Sequence, residues 1–306
     1  MNPMLAVNAI TTSLRFRLIA QPKIDGVRGW NPAGKLLGRS MEPHANKQLT
    51  KFFSDEKFRG FDGELYVGDA TAESVCRKTT SVVNTVNKVA DVRWSLFDLV
   101  RRDTFFLPYE DRLRKLEEYV SHLYDTDYQL WQRIEVIPYK IVNDLDELLA
   151  LEHKYIAEGY EGIILRDPAG AWRSGRCTPE SNALLRIKRF EDREGEVLDV
   201  KEGFVNNNMQ TYGADGMAKR STHAENMIPS GTVGSLVVRD SETGKIVTVS
   251  KGKLSAVECQ KYFAHPALII GKILTYRVFP RGSVRAPRFP TFQNFRASSD
   301  ISTNVC

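Results

Sequence analysis

The chain has 306 residues, of which 42% are hydrophobic and 26% are charged, a composition ordinary for a globular protein with one large core or two smaller ones. No apolar run reaches the roughly 18 residues of a membrane-spanning helix, and no basic segment precedes the short apolar stretch at the start, so neither a membrane protein nor a signal peptide is expected. The four cysteines form no C-x-x-C pair, which predicts a reduced intracellular protein without a zinc site.

The net charge of +5 is unevenly distributed. Residues 1–188 carry 27 basic and 26 acidic side chains, whereas residues 189–306 carry 16 and 12. The stretch from 260 to 299 has no acidic residue, and its arginines are interleaved with aromatic side chains. These arginines are Arg277, Arg281, Arg285, Arg288 and Arg296. Such a pattern favours a polyanionic partner, such as nucleic acid or a nucleoside triphosphate; a solvated basic face is the alternative.

The first predicted strand is RFRLIA, and Pro22 ends it. Asp25-Gly26 is a turn signal, after which VRGW, NPAG and KLLGR are interpreted as strand, turn and strand. Lys23 is therefore expected at the mouth of a sheet, where a side chain can be held rigidly over a pocket. FDGELYVG and RWSLFDLV are further predicted strands, so residues 15–100 are interpreted mostly as strands and turns.

Two helices are predicted next. Residues 109–123 have apolar side chains at helical spacing. Residues 143–159 form the second helix, with Asn143 as the expected N-cap and Gly159 as the C-cap. EGIILRD and ALLRIKRF then return as strands.

After residue 190 the predicted pattern changes to short strands. These are EGEVLDV, a hairpin of VGSLVVRD and KIVTVSKG joined by SETG, and ILTYRVFP, with one short helix at 253–264. The change predicts a boundary between a domain at 1–189 and a second at 190–306. The second has the size and strand pattern of a small barrel such as an OB-fold.

The stretch 203–231 is polar and rich in turn residues. A structureless segment of this length is unusual inside a compact domain unless it has a function. It is interpreted either as disordered surface or as a loop that orders on a partner. Lys219, Arg220 and His223 favour a polyanionic partner.

Several side chains at predicted strand ends could carry chemistry. A lysine becomes a covalent nucleophile where a cation, a metal or desolvation favours its neutral form, and Lys23 is the candidate; an ordinary surface lysine is the alternative for an isolated K-x-D-G. Asp62, Glu64 and Glu161 could bind a ribose hydroxyl or Mg²⁺. Phe97 could stack on a base, although an aromatic residue in a strand is more often core.

Cations follow the predicted carboxylates. Arg173 and Arg176 flank a flexible glycine, and Arg186 and Lys188 share one face of a strand by the period of two. Together these residues are typical of phosphoryl transfer from a nucleoside triphosphate. Neither a Walker A loop nor G-x-G-x-x-G occurs, which excludes P-loop and Rossmann schemes.

The motif order K-x-D-G-x-R, D-G-E, F-D, E-G and L-x-x-x-K resembles the nucleotidyltransferase motifs of ATP-dependent DNA ligases, and more loosely those of RNA ligases and mRNA capping enzymes. KRSTH, followed by VGSLVV, and the later RFPTFQNFR are similar to segments of the minimal viral and bacteriophage members. The likeness covers residues 12–296. It implies an α+β fold, in which a nucleotidyltransferase domain of antiparallel sheets with helices precedes an OB-fold barrel and residues 203–231 form a latch around DNA.

The resemblance also implies roles for the nucleotide-site residues. Lys23 would be adenylated by ATP, Arg28 and Glu64 would contact the ribose, and Phe97 would stack on adenine. Glu161, with Glu64, would place Mg²⁺.

Further implied roles concern phosphates and DNA. Lys188 and Arg186 would contact the α-phosphate, although Arg186 stands where the family has lysine, so the phosphate contact can differ in detail. Arg39 and Arg176 would engage phosphates, including the 5′-phosphate of a nick. The remaining implied contacts are Arg288 and Arg296 to the pyrophosphate leaving group, and Lys219 and Arg220 to DNA.

The implied function is an ATP-dependent DNA ligase that seals nicks through a lysyl-AMP intermediate and an adenylated 5′-phosphate. Its expected partner is nicked duplex DNA, with no membrane. A cytoplasmic monomer encoded by a virus or phage is expected. The alternatives are an RNA ligase or capping-type guanylyltransferase, and a non-catalytic nucleic-acid-binding module.

Overall fold

The computed structural model of the protein describes residues 2–283 and 286–296, so Arg285 and the side chain of Arg281 lie outside the described part. The chain folds as two units. The first comprises residues 1–188 with 212–217, and the second comprises 189–211 and the residues from 218 onward. In the described residues, no helix combines the length and the apolar character that crossing a membrane requires.

The first unit is built from mixed sheets and four α-helices among the described residues. Its strands are β1 (Met4–Leu5), β2 (Val7–Asn8), β3 (Leu18–Pro22), β4 (Val27–Trp30), β5 (Phe61–Val67), β6 (Val92–Leu99), β7 (Ile134–Val136), β8 (Lys140–Val142), β9 (Gly162–Arg166), β10 (Gly175–Arg176) and β11 (Leu185–Lys188). Its helices are α1 (Lys47–Phe53), α2 (Val75–Val83), α3 (Tyr109–Thr126) and α4 (Leu145–Glu158), with 3-10 turns at Thr11–Ser13, Glu56–Phe58, Tyr128–Gln132 and Pro179–Ser181.

The sheets of this unit have the orders β2-β11-β9-β3-β8 and β4-β5-β6-β7, beside a β1-β10 pair. The pairs β3–β8, β3–β9, β9–β11, β4–β5 and β5–β6 are antiparallel, as predicted. The sheets are nevertheless mixed, because β1 with β10, β2 with β11, and β6 with β7 are parallel. A parallel pair needs a crossover connection, and α3 supplies one between β6 and β7.

The two predicted helices are confirmed, with one end corrected. Leu113, Leu116 and Val120 of α3 are buried in a core cluster with side chains of β5 and β6. The N-cap of α4 is Asp144, not Asn143, because the Asp144 carboxylate accepts the Glu147 N–H at 2.8 Å. Gly159 ends α4 as predicted, with φ of 106°, a conformation that favours glycine.

Two other expectations for residues 15–100 are wrong. Helices α1 and α2 lie where strands and turns were expected. In α2, the valines and threonines favour a strand by local propensity. Burial of Val75, Val82 and Val83 overrides that propensity. KLLGR is not a strand; Leu37 forms only isolated bridges to Trp30 and Pro43.

The second unit is a closed five-stranded barrel of order β12-β15-β16-β18-β17, an OB-type architecture. Its elements are β12 (Glu191–Asn206), β13 (Gln210–Tyr212), β14 (Ala218–Arg220), β15 (Met227–Asp240), β16 (Ile246–Ser250), α5 (Ala256–Ala264), β17 (Ile273–Ser283) and β18 (Ala286–Phe295), with 3-10 turns at Ala224–Asn226 and Pro266–Leu268. Val197, Leu236, Val249 and Tyr276 fill the barrel core. The predicted β15–β16 hairpin and the helix within 253–264 are confirmed.

Residues 203–231, expected to be a disordered or partner-ordered loop, form a hairpin. β12 and β15 stay paired as far as Asn206 with Met227, and β13 pairs with β14 beyond them. Asn208 is buried between these pairs, and its amide donates to the main-chain oxygens of Ser221 and His223 at 2.9 Å. A polar stretch therefore acquires order from side-chain to main-chain hydrogen bonds rather than from an apolar core.

Candidate active site

A cavity of about 390 Å³ lies in the first unit, a size typical of small-molecule sites. Strands β3, β4, β5, β6, β9 and β11 contribute to its wall. Six of the predicted site residues line it: Lys23, Arg28, Arg39, Glu64, Phe97 and Arg186.

Lys23 directly follows β3, as the sequence predicted for a residue after Pro22. Its main-chain N–H donates to the Gly162 oxygen, and its main-chain oxygen accepts the Glu161 N–H, each at 2.9 Å. These two bonds fix Lys23 beside the start of β9, so its side chain projects from a rigid backbone into the cavity wall.

Glu161 lies between two lysines. Its carboxylate is 2.5 Å from Lys23 Nζ, and Lys188 Nζ donates to its other oxygen. Burial alone would raise the pKa of Glu161, but Lys23 and Lys188 together hold that pKa below its usual range. Burial, and then the neighbouring Lys23 charge, lower the pKa of Lys188. The cluster therefore keeps one ionised carboxylate in contact with two amines.

Arg28 is committed to a buried carboxylate. Its Nε and one terminal nitrogen each donate to Asp62 at 2.5 Å, and its guanidinium carbon lies 4.7 Å from the centre of the Phe97 ring. Burial raises the pKa of Asp62 despite this ion pair. The Arg28 guanidinium is thus fixed beside the aromatic ring that the sequence nominated for stacking.

Glu64 is the neighbouring carboxylate in the cavity wall, opposite Arg28 in the β4–β5 ladder. Burial raises the pKa of Glu64 to about 7, although Lys23 and Arg28 oppose that shift. Glu64 therefore changes charge near neutral pH, which few carboxylates do.

Three guanidinium groups lie close enough to influence one another electrostatically. Burial, followed by the positive charges of Arg176 and Arg39, lowers the pKa of Arg186, which Glu161 partly counteracts. Arg186 Nε donates to Asn8 Oδ1 at 2.9 Å. Arg39 and Arg186 line the cavity, whereas Arg176 does not, and such a group of cations is suited to phosphate oxygens.

Glu161, Arg176 and Lys188 belong to the first unit but are absent from the cavity lining. The remaining predicted residues, Arg288, Arg296, Lys219 and Arg220, lie in the second unit. Arg296 Nε is 2.7 Å from Glu194 Oε1. Arg288 lies over the Phe289 ring, with 5.3 Å between guanidinium carbon and ring centre. Arg220 donates to the main-chain oxygen of Asn208, and its neighbour Lys219 is an exposed residue of β14.

The sequence reasoning missed Gln21 and Arg166, which also line the cavity, and Asp98, which anchors Arg166. Asp98 is 2.6 Å from Arg166 and 2.8 Å from Arg112, and all three side chains are at most 2% exposed. Burial would raise the pKa of Asp98, but the two arginines lower it overall. Asp98 lies in the largely apolar end of β6. A charged residue in such a strand indicates a buried ion pair, because a buried charge needs a partner.

A family model described as the ATP dependent DNA ligase domain matches residues 3–188. Among curated proteins, a DNA ligase of African swine fever virus (isolate Pig/Kenya/KEN-50/1950) is 26% identical over 157 residues, which are 51% of this chain and 35% of that protein. The chain thus matches about a third or less of the length of such relatives, since phage T4 DNA ligase is covered over only 19%.

Solved structures are matched over almost the whole chain. The chlorella virus DNA ligase-adenylate is 25% identical with a TM-score of 0.54, over 98% of this chain and 99% of that one. A Lig E DNA ligase is 21% identical with a TM-score of 0.71, over 97% and 99%. At this level of identity, the similarity to the Lig E DNA ligase shows a shared fold.

Proposed function

The chain belongs to the ATP-dependent DNA ligase family, and on that premise we propose that it is an enzyme that seals nicks in duplex DNA with ATP. The observation that carries the proposal is Lys23, which is fixed at the cavity wall with its Nζ 2.5 Å from Glu161. A rigidly placed lysine next to a cavity rich in cations is the arrangement that lysine-based nucleotidyl transfer requires.

The proposed reaction has three displacements at phosphorus. The neutral Lys23 amine attacks the α-phosphorus of ATP and gives up a proton to solvent, while the bond to the β-phosphate breaks and pyrophosphate leaves with the electron pair. A 5′-phosphate oxygen at the nick then attacks the same phosphorus, and the P–N bond breaks as the nitrogen takes a proton back from solvent, which returns the amine. Finally the 3′-hydroxyl attacks the 5′-phosphorus, loses its proton, and releases AMP as the phosphodiester forms.

Two residues would act on Lys23 and the α-phosphate. Glu161 lies within hydrogen-bond distance of Lys23 Nζ and would orient the amine. Lys188, bonded to the other oxygen of Glu161, would turn to a non-bridging oxygen of the α-phosphate. Because negative charge on phosphate oxygens dominates this chemistry, positioned cations account for most of the rate.

The nucleoside would occupy the cavity near Phe97. Its base would stack on the Phe97 ring, whose orientation Arg28 restrains. The ionised form of Glu64 would accept a ribose hydroxyl, a charge-assisted bond. Because Arg28 is bonded to Asp62 through two nitrogens, its contact to the ribose would be secondary to its structural role.

The donor set fits Mg²⁺ that arrives with ATP. In the described residues, no group of three or more His, Cys, Asp or Glu side chains could hold a metal by itself. Glu161 and Glu64 would supply one or two oxygens, which is the usual protein share when phosphates and water complete the Mg²⁺ shell. When bound, the ion supplies positive charge at the phosphates.

DNA would be held by cations. Arg39, Arg176 and Arg186 form the cluster that we assign to phosphates, including the 5′-phosphate of the nick. Lys219 and Arg220, on the 203–231 hairpin, would meet the DNA backbone. Arg288 and Arg296 remain the proposed contacts to the pyrophosphate, and Arg296 would first have to leave Glu194.

We further propose that the protein works as a monomer inside an infected cell, since the curated relatives are encoded by viruses and phages. A catalytic cycle confined to one chain needs no second copy, because Lys23, Glu161 and Lys188 come from the same unit.

Intact-mass measurement tests the function. Purified protein is incubated with Mg²⁺ and either ATP or GTP, without DNA, and nicked duplex is then added. A gain of one AMP from ATP alone, absent in Lys23→Ala, retained in Lys35→Ala and discharged by nicked DNA, is the expected result. Lys35 is an exposed lysine of the same unit and controls for the loss of a positive charge.

The other outcomes separate the alternatives. A gain from GTP alone would identify a capping-type enzyme, and discharge by nicked RNA but not by nicked DNA would identify an RNA ligase. No adduct, with prior adenylation excluded, would leave a non-catalytic binding module.

A further inference from the structure

The hairpin at 203–231 has an unusual interior. Its large apolar side chains are on the outside, since Phe204, Met209, Tyr212 and Met217 are each more than half exposed. In their place, a neutral amide occupies the interior: Asn208 is 6% exposed. A hairpin without an apolar core depends on its polar contacts for order.

Asn208 uses both ends of its side chain. The amide nitrogen donates to Asn206 Oδ1, Ser221 O and His223 O, all at 2.9 Å. The amide oxygen accepts from Asn226 Nδ2 at 3.2 Å. These bonds tie the β12 side of the hairpin to the segment that leads into β15.

The main chain of the same residue joins the network. Its N–H donates to Asn206 Oδ1 at 3.0 Å, and its carbonyl oxygen accepts from Arg220. Asn206 donates in turn to Ser221 O at 2.8 Å. One residue thus connects five others on both sides of the hairpin, and every bond is internal to the protein.

The neighbouring asparagine provides a contrast. Asn207 is exposed, and its main-chain N–H donates to Asn226 O at 2.9 Å. Its side chain makes no hydrogen bond to any residue within 2–283 and 286–296, the part that the structure describes. Two adjacent asparagines therefore differ in burial and bonding, which makes one a matched control for the other.

We propose that Asn208 is a positioning residue for DNA engagement, which holds the 203–231 hairpin in a preformed shape so that it meets duplex DNA already folded. The inference rests on the proposed function, because it takes the hairpin as a DNA contact. A segment that folds as it binds has a lower affinity, because the entropy lost on ordering is subtracted from the binding free energy. If the Asn208 network already orders the hairpin in the free protein, binding does not include this loss, and association is tighter and faster.

The test uses the full chain and a nicked duplex in which the 3′ terminus at the nick is a dideoxynucleotide. This terminus lacks the 3′-hydroxyl, so sealing cannot occur. Hydrogen exchange of 203–231 is measured without DNA, and affinity and association rate are measured by fluorescence anisotropy. For Asn208→Ala we expect loss of protection in the hairpin, a dissociation constant raised about tenfold and slower association. Adenylation by ATP should stay within about twofold, because Lys23 lies in the other unit. Asn207→Ala should match wild type in all four measurements.

A cross-link provides the rescue. Val205 and Ile228 are paired across β12 and β15, and both side chains are about half exposed, so Val205→Cys with Ile228→Cys can form a disulfide. In the Asn208→Ala background, oxidation should restore both protection and affinity, and reduction should remove them again.

Three results would overturn the proposal. They are full protection of the hairpin in Asn208→Ala, unchanged DNA binding in spite of lost protection, and a cross-link that restores protection without restoring affinity. Failure of wild type to form an adenylate would instead refute the enzyme function, and the anisotropy measurement does not depend on it.

Discussion

The nucleotide cavity and the 203–231 hairpin solve the same problem, the placement of polar groups, in opposite ways. The cavity is built on paired strands and uses charges, with Glu161 between two lysines and Asp98 between two arginines. The hairpin uses neutral amides inside and leaves its charges and large apolar side chains outside. Removing one partner of a buried ion pair is strongly destabilising, so the buried charges fix a single geometry. Breaking a neutral amide hydrogen bond costs less free energy, so the hairpin can open more easily. The difference suits chemistry in the first region and engagement of a large partner in the second.

The largest effect, on adenylation, should come from replacing Lys23, because no other residue of the cavity is proposed as the nucleophile. Lys23→Ala removes the only group that is proposed to form a covalent bond with AMP, so adenylation should fall by at least about 10⁴-fold. Lys23→Arg keeps the charge beside Glu161 but lacks a nucleophile of comparable strength, and it should be as inactive. Pyrophosphate release measures both; substantial activity in Lys23→Arg would mean that charge, not nucleophilicity, matters at this position.

The next effect concerns stability. Asp98→Asn leaves Arg112 and Arg166 as buried charges without their carboxylate, so the free energy of unfolding should fall by about 3–5 kcal/mol. Asp111→Asn is the matched control, because Asp111 also lies 2.8 Å from an arginine, but on the exposed surface of α3. It should leave the denaturation midpoint unchanged. Equal effects of the two variants would show that burial is not what makes the Asp98 network important.

A smaller effect concerns the pH dependence of ATP binding. The pKa of Glu64 in the folded protein is about 7, so Glu64 is neutral below that pH and charged above it. If the charged form accepts a ribose hydroxyl, the KM for ATP in adenylation should fall severalfold as pH rises from 6 to 8. Glu64→Gln should flatten this profile. A profile that keeps its slope in Glu64→Gln would assign the titration to another group.

The same shift has a consequence for stability. The folded pKa is above the ordinary carboxylate value of 4.5, so between pH 4.5 and about 7 the folded state binds more protons than the unfolded state. The free energy of unfolding therefore decreases as pH rises through this window. Urea denaturation at pH 5 and pH 8 should show a smaller loss in Glu64→Gln than in wild type.

The contrast between the two regions also explains what the sequence could predict. Lys23 at a sheet mouth, and the end of α4 at Gly159, follow from local signals, a proline, a turn dipeptide and a glycine. The Asp98 network was missed because its arginines are 14 and 68 residues away. The order of the hairpin was missed because the Asn208 amide bonds to main-chain oxygens 13 and 15 residues on. Residue type reveals a need for partners, but only the fold brings those partners together.

The smallest effect should separate the two cations of the hairpin. Lys219 is exposed on β14 and is proposed to meet DNA phosphates, so Lys219→Ala should weaken nick binding and reduce the slope of log Kd against log salt by about 1. Arg220 also donates to Asn208, so Arg220→Ala should change the slope similarly and, in addition, lower the protection of 203–231 from hydrogen exchange. Lys154→Ala, on α4 of the first unit, serves as the charge-matched control. If Lys219→Ala lowers protection as much as Arg220→Ala does, Lys219 holds the hairpin as well, and the division of the hairpin into a structural interior and a recognising exterior fails at β14.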